Sequence, residues 1–80
     1  MSAPESDPVA RLDLRGTPCP LNFIRTRLAL EKLGTGEKLQ VDLDAGEPVL
    51  MVSEGVRGDG HSVASSQLAG GAVRLTILRG

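Results

Sequence analysis

The 80-residue sequence has one cysteine, one histidine and one aromatic residue, and it has no tryptophan or tyrosine. One cysteine excludes an internal disulfide, and one cysteine with one histidine cannot complete a metal site unaided. A single phenylalanine leaves little on which nucleic acid bases could stack, and nine basic against ten acidic residues provide no cationic excess for a phosphate backbone. We therefore expect neither a metal site nor direct nucleic-acid binding.

Long apolar runs are also absent. No segment approaches the length of a membrane span, and the first residues lack both the positive region and the apolar stretch of a signal peptide. These absences predict a cytoplasmic protein that does not bind membranes, in a compartment where a lone thiol stays reduced. The length predicts one small domain. We expect a disordered tail over residues 1–8, a single folded unit over residues 9–80, and a monomer.

The apolar periodicity predicts the element order β-α-β-α-β-β. Strands are predicted over residues 9–14, 38–43, 60–68 and 73–78, and helices over residues 20–33 and about 49–58. Because the alternating strands each have one polar face, both helices are expected on the same face of the sheet. The predicted fold is an α/β (α+β) two-layer sandwich with a four-stranded mixed sheet. Its predicted core consists of Leu12, Leu14, Phe23, Leu30, Leu33, Leu39, Val41, Leu43, Val52, Val56, Val63, Leu75 and Ile77.

The predicted first helix carries two apolar stripes rather than one. The first stripe is formed by Phe23, Thr26, Ala29, Leu30 and Leu33. The second stripe is formed by Leu21, Ile24 and Leu28. A helix on a sheet has one face to bury, and we assign the first stripe to that role. The second stripe is either covered by the second helix or left exposed for a partner.

Cys19 is the strongest candidate for chemistry. It lies between two prolines at the opening of the first helix, where the unpaired N–H groups and the helix dipole favour a thiolate. Arg15 and Arg25 are close enough in sequence to add positive potential. The alternative is that Cys19 acts as a small buried apolar residue, which is the commoner fate of an isolated cysteine. His61 lies far along the chain with no third group to orient it, so a cysteine–histidine catalytic pair is disfavoured.

The segment from Asp13 to Pro20, Asp-Leu-Arg-Gly-Thr-Pro-Cys-Pro, resembles the Asp-x-x-Gly-x-x-Cys-Pro-x-Pro signature of the TusA/SirA-like sulfur-carrier family. The resemblance continues through the first helix and the second strand to the closing segment at residues 74–79. It covers roughly Leu12 to Arg79, so it predicts a single TusA-like domain. The two-layer sandwich of that family agrees with the element order predicted from the periodicity.

The resemblance implies a small sulfur carrier, similar to a sulfurtransferase, in which Cys19 accepts sulfane sulfur as a persulfide. The donor would be a protein such as a cysteine desulfurase. The acceptor would be another protein of a sulfur relay, as in tRNA thiolation or sulfur oxidation. No metal or organic cofactor is implied, because the sulfur is carried covalently on Cys19. The alternative is a regulatory or scaffold module that keeps the fold and binds partner proteins without relaying sulfur.

The candidate residues around Cys19 divide into two groups. The loop-shaping residues are Asp13, Gly16, Pro18 and Pro20. The candidate docking residues are Arg15, Leu21, Asn22, Ile24 and Arg25. Asn22 replaces the second proline of the family signature, which restores a backbone donor in the first helical turn and adds an amide that could reach the sulfur or a partner.

Overall fold

The computed structural model describes residues 8–18 and 20–80. The strands are β1 (Ala10–Asp13), β2 (Lys38–Asp44), β3 (Ser62–Gln67) and β4 (Ala72–Leu78). The helices are α1 (Leu21–Glu31) and α2 (Glu47–Gly58), and a 3-10 turn (Ala69–Gly71) joins β3 to β4. The element order is therefore the predicted β-α-β-α-β-β. Of the tail predicted over residues 1–8, all but Pro8 lies outside the described residues, so that boundary stays a prediction.

The sheet has the strand order β1-β2-β4-β3. β1 pairs with β2 in parallel, whereas β4 pairs antiparallel with both β2 and β3. It follows that β2 and β3 run in the same direction and are separated by one position, into which the last strand inserts. The mixed sheet was predicted, but this order was not, since strand patterns alone do not say which strand is central.

The core lies between one face of the sheet and the two helices. β2 alternates strictly: Leu39, Val41 and Leu43 are fully buried, and the intervening residues are half-buried. The residues that pack with them come from both helices and from β4, and they include Leu30, Val52, Val56, Leu75 and Ile77. Both helices therefore cover the same face, which confirms the two-layer sandwich. Of the predicted core, Leu12, Phe23 and Val63 are only partly buried and pack against its margin.

α1 is shorter than predicted. It spans Leu21–Glu31, with Pro20 as its N-cap residue and Lys32 as its C-cap residue. Its buried residues are Asn22, Thr26 and Leu30, spaced by four. The prediction that Phe23 leads the buried stripe is therefore wrong by one position, because Asn22 occupies the innermost place in the first turn. Neither described helix is long and apolar enough to cross a membrane.

Phe23 instead packs between the two helices. A Cβ built at Gly55 of α2 would meet the Phe23 ring, with Cζ at 2.7 Å. The guanidinium of Arg27 lies over the Phe23 ring, 5.6 Å from the ring centroid. Arg27 Nε also forms an ion pair with Oδ2 of Asp59, the residue after α2, at 3.2 Å. A glycine at position 55 is thus what allows α1 and α2 to approach each other here.

We predict that Gly55→Ala lowers the free energy of unfolding by about 1–2 kcal/mol, because the added methyl group must displace the Phe23 ring. Gly58→Ala is the matched control, since a Cβ at Gly58 in the same helix meets nothing within 4 Å. We expect Gly58→Ala to be neutral or to stabilise the protein by up to about 1 kcal/mol. Urea unfolding of the two variants measures both effects. Equal stabilities would show that the helices do not meet at Gly55.

Candidate functional site

The loop from β1 to α1 begins with an ion pair between Asp13 and Arg15. Arg15 Nε donates to Asp13 Oδ1 and Nη2 donates to Oδ2, each at 2.8 Å. The Arg15 backbone N–H also donates to Oδ1 at 3.2 Å. These hydrogen bonds lower the pKa of Asp13 from its ordinary 3.8 to about 2, and they raise the pKa of Arg15. The positive charge of Arg15 is therefore partly offset by the Asp13 carboxylate, and the loop-shaping role of Asp13 stays a prediction.

Gly16 turns the loop. Its φ is +78°, in the left-handed region where residues with a side chain are strained, and the Thr17 N–H closes the turn on the Leu14 carbonyl at 3.0 Å. The Gly16 N–H donates to Asp44 Oδ2 at 2.7 Å. Asp44 is the last residue of β2, one position beyond the strand predicted over residues 38–43. The sequence gives no signal for this contact, because the two residues are 28 positions apart.

The two prolines that flank Cys19 in the chain accept hydrogen bonds from α1 through their backbone carbonyls. The Pro18 carbonyl accepts the Asn22 N–H at 3.2 Å, and the Pro20 carbonyl accepts the Ile24 N–H at 3.0 Å. Both predicted loop-shaping prolines thus accept hydrogen bonds from the first turns of α1. Cys19 itself lies outside the described residues, so its expected exposure and reactivity stay predictions.

Asn22 is fully buried, and both its side chain and its backbone carbonyl accept hydrogen bonds. Its Oδ1 accepts the Phe23 N–H at 2.6 Å, and its carbonyl accepts the Thr26 hydroxyl at 2.8 Å. This corrects its place among the docking residues, because a side chain with no exposed surface offers nothing for a partner to contact in this structure. The remaining candidate docking residues do reach the surface.

The second stripe of α1 is exposed, as one of the two alternatives predicted. Leu21 is 50%, Ile24 is 44% and Leu28 is 53% exposed, and Arg25 beside them is exposed as well. α2 therefore covers the Phe23 side of α1 and leaves this stripe open. The first turns of α2 add two more exposed apolar residues, Leu50 and Met51, which sequence analysis did not single out as surface.

His61 lies at the opposite end of the sheet from the loop. It precedes Ser62, which pairs with Leu78 and through it with Lys38 at the start of β2, whereas Asp13 pairs with Asp42 near the end of β2. His61 Nδ1 accepts the Gly80 N–H at 3.0 Å. The structure thus places the half-buried His61 away from the loop that follows Asp13, in line with the expectation that a cysteine–histidine pair is disfavoured.

Comparison with known proteins identifies the family. The family model described as "Sulfurtransferase TusA" matches residues 10–79, which include every described strand and helix. The chain belongs to the TusA sulfurtransferase family. This confirms the resemblance found at the cysteine motif.

Individual relatives of this TusA-family chain agree. A protein of Archaeoglobus fulgidus named "Putative sulfur carrier protein" is 42% identical over 59 residues, covering 74% of this chain and 67% of its own. The similarly named protein YedF of Escherichia coli is 33% identical over 70 residues, covering 88% of this chain and 91% of its own. The crystal structure of a SirA-like protein from Desulfitobacterium hafniense superposes with a TM-score of 0.81 at 26% identity, covering 89% of this chain and 97% of that one.

We predict that the Asp13 carboxyl titrates near pH 2 and that Arg15→Gln returns its pKa towards 3.8. Because the folded-state pKa is the lower one, the contribution of this ion pair to stability is present above about pH 4 and is lost as the pH falls towards 2. The side-chain carboxyl carbon shift, followed by NMR against pH, measures the midpoint in both chains. An unchanged midpoint in the variant would contradict the pairing, and Lys38→Gln, at the other end of β2, is the control.

Proposed function

We propose that this protein is a sulfur carrier that accepts sulfane sulfur as a persulfide on Cys19 and passes it to an acceptor protein. The observation that carries the proposal is the match of the TusA sulfurtransferase family across residues 10–79, which includes the cysteine motif. The names of the relatives support the same role. The hydrogen bonds to Pro18 and Pro20 support it further, since they fix the chain on each side of Cys19. Cytoplasmic location is part of the proposal.

The proposed transfer needs no redox partner, because one S–S bond replaces another. The Cys19 thiolate attacks the outer sulfur of a donor protein's persulfide. The new S–S bond forms as the S–S bond of the donor breaks, the donor cysteine leaves as a thiolate, and Cys19 becomes the persulfide with its proton on the outer sulfur. An acceptor thiolate then attacks that outer sulfur, and Cys19 leaves as a thiolate. We propose a cysteine desulfurase as the donor and an acceptor protein of a sulfur relay, such as one that serves tRNA thiolation.

The amino end of α1 suits a thiolate nucleophile. Cys19 directly precedes Pro20, the N-cap residue of α1, and the amino end of a helix carries partial positive charge. The first turn of α1 contains no acidic residue, whereas that of α2 contains Glu47. The nearest acid along the chain before Cys19 is Asp13, and it is neutralised by Arg15. The positive end of α1 is thus left uncompensated by carboxylates of its own first turn.

We predict that Cys19→Ser keeps the fold and abolishes sulfur loading by a cysteine desulfurase with cysteine, measured as a mass increase of one sulfur atom per chain. The parent thiol should ionise below the ordinary value of about 8.5, measured from the rate of alkylation against pH. A parent chain that gains no sulfur, or a thiol that ionises at or above that value, would contradict the proposal. Either result would instead favour the second candidate function, a partner-binding module of the same fold.

Docking is proposed to use the exposed stripe of α1. Leu21 and Ile24 are within the first turns of the helix that follows Cys19, so a protein that reaches the thiol must pass beside them. Exposed apolar side chains beside a polar rim are typical of transient interfaces. Arg25 is exposed beside this stripe and forms no ion pair with another described residue. Its positive charge would favour an acidic rim on the partner.

We predict that Leu21→Ser with Ile24→Ser slows sulfur loading by about tenfold while the melting temperature stays unchanged, because both residues are half-exposed and lie outside the core. Leu78→Ser is the matched control, as Leu78 is an exposed apolar residue at the opposite end of the sheet, and it should leave loading unchanged. A large loss of stability with normal loading of the folded fraction would show that the stripe has a packing role only.

A further inference from the structure

β3 forms one edge of the sheet, and no other strand of the described chain pairs with its outer side. Its only neighbour is β4, and five of its six residues are exposed. Its sequence, Ser-Val-Ala-Ser-Ser-Gln, contains no charged residue and no proline, and its pairing with β4 runs from Ser62 to Gln67 without a bulge. Charges, prolines and bulges are the features that protect an edge strand from other strands. The edge formed by β3 lacks all three.

The opposite edge of the sheet is different. β1 has only four residues, and two of them, Arg11 and Asp13, are exposed and charged. A short edge strand with charged side chains disfavours the approach of another strand. Of the two edges, β3 is therefore the one that is open to pairing.

The hydrogen bond at the end of β3 shows which of its backbone groups face outward. The Leu68 N–H donates to the Ala72 carbonyl at 2.8 Å. In an antiparallel pair, every second residue bonds to the neighbouring strand, and the residues between turn their N–H and C=O groups away. Counted back from Leu68, the even-numbered residues of β3 bond to β4. The odd-numbered residues therefore direct their backbone groups outward, and they are Val63, Ser65 and Gln67.

We propose that this edge binds the same edge of a second copy of the chain, in an antiparallel pair centred on Ser65. Residues that lie opposite each other and exchange hydrogen bonds must both direct their backbone groups towards the partner strand. One register meets this condition for all three outward residues: Ser65 lies opposite Ser65 of the second copy, and Val63 lies opposite Gln67 in both directions. Each of the three pairs exchanges two bonds, which gives about six main-chain hydrogen bonds.

A second copy suits this edge for two reasons. The outward residues are spaced evenly about Ser65, so the strand is complementary to itself under a two-fold rotation, as an interface between identical chains requires. The side chains that meet are uncharged, with Ala64 opposite Ser66 on the other face, so no like charges oppose each other. The proposal replaces the sequence-based expectation of a monomer, because the apolar pattern does not show which strand lies at the edge.

The helices leave room for this pairing. In the proposed register, outward residues of both copies lie opposite each other with their side chains on the helix-bearing face, so two four-stranded sheets continue as one with all helices on the same face. α2 contacts β2, β4 and β3, and therefore lies over β4, the middle strand of the three. The two β4 strands would be three strand spacings apart, about 14 Å. Since packed helices lie about 8–10 Å apart, the two α2 helices do not collide.

Sedimentation velocity of the full chain tests the association, with a reductant present so that Cys19 cannot link two chains through a disulfide. We expect the mass to rise from one chain towards two between about 10 µM and about 1 mM. Ser65→Lys should weaken the association about tenfold or more, because like charges then lie opposite each other at the centre of the pair. Ser65→Glu should do the same, and a mixture of the two variants should associate at least as strongly as the parent. Thr35→Lys is the control, since it adds the same charge at an exposed turn outside β3.

Amide hydrogen exchange tests the register. The amides of Val63, Ser65 and Gln67 should exchange more slowly as the protein concentration rises, whereas those of Ala64 and Ser66 are bonded to β4 and should not respond to concentration. A chain that is still a monomer at about 1 mM overturns the proposal, and the edge is then open to an extended segment of another protein instead.

A dimer that both Ser65 variants leave intact also overturns the proposal, because the copies then meet at another surface. The same holds for a dimer in which the odd-numbered amides of β3 gain no protection. None of these measurements involves sulfur transfer, so their outcome is independent of the proposed function.

Discussion

The strict alternation of β2 is the constraint on which the rest of the structure depends. Its odd positions, Leu39, Val41 and Leu43, are fully buried and form the floor on which both helices pack. Its even positions face the other way and end in carboxylates: Asp42 binds Arg74 of the neighbouring strand at 2.9 Å, and Asp44 binds the Gly16 N–H. One strand thus supplies the core and also anchors the loop that precedes Cys19. A shift of register by one residue would exchange the two roles and lose both.

Local patterns predicted most of this fold, because they depend on neighbours in sequence. The alternation of β2 and β4 and the apolar periodicity of the helices are such patterns, and they predicted the element order and the ten residues of the buried apolar cluster. Asn22 and Phe23 show where the pattern was insufficient. They are adjacent, and hydropathy favours burying the aromatic ring. The hydrogen bond from the Phe23 N–H to Oδ1 supports burial of the amide, and the absence of a side chain at Gly55 leaves room for the Phe23 ring between the helices.

The candidate site could be predicted where it follows a motif, and not where it depends on tertiary contact. Asp13 and Gly16 make side-chain and backbone hydrogen bonds at the start of the loop, and the carbonyls of Pro18 and Pro20 accept N–H groups of α1, while their role in shaping the loop stays a prediction. The sequence could not show that Asp44 would accept a hydrogen bond from Gly16 or that Arg15 would form an ion pair with Asp13. The sequence left open whether the second stripe of α1 is covered or exposed. It is exposed because α2 packs on the Phe23 side of α1. The periodicity of a single helix carries no information about where its neighbour lies.

The position of β4 has a consequence for the order in which the protein can form. β4 is the last strand in the chain, yet it lies between β2 and β3 and provides all of the sheet pairing that β3 has. During synthesis, the first 70 residues can build the β1-α1-β2 unit, but β3 then has no strand to join. Closure of the sheet waits for β4, whose pairs with β2 range from Asp44–Ala72 to Lys38–Leu78, between residues far apart in the sequence. Until that segment leaves the ribosome, the backbone N–H and C=O groups along one edge of β2 have no partner strand, and such an edge favours self-association.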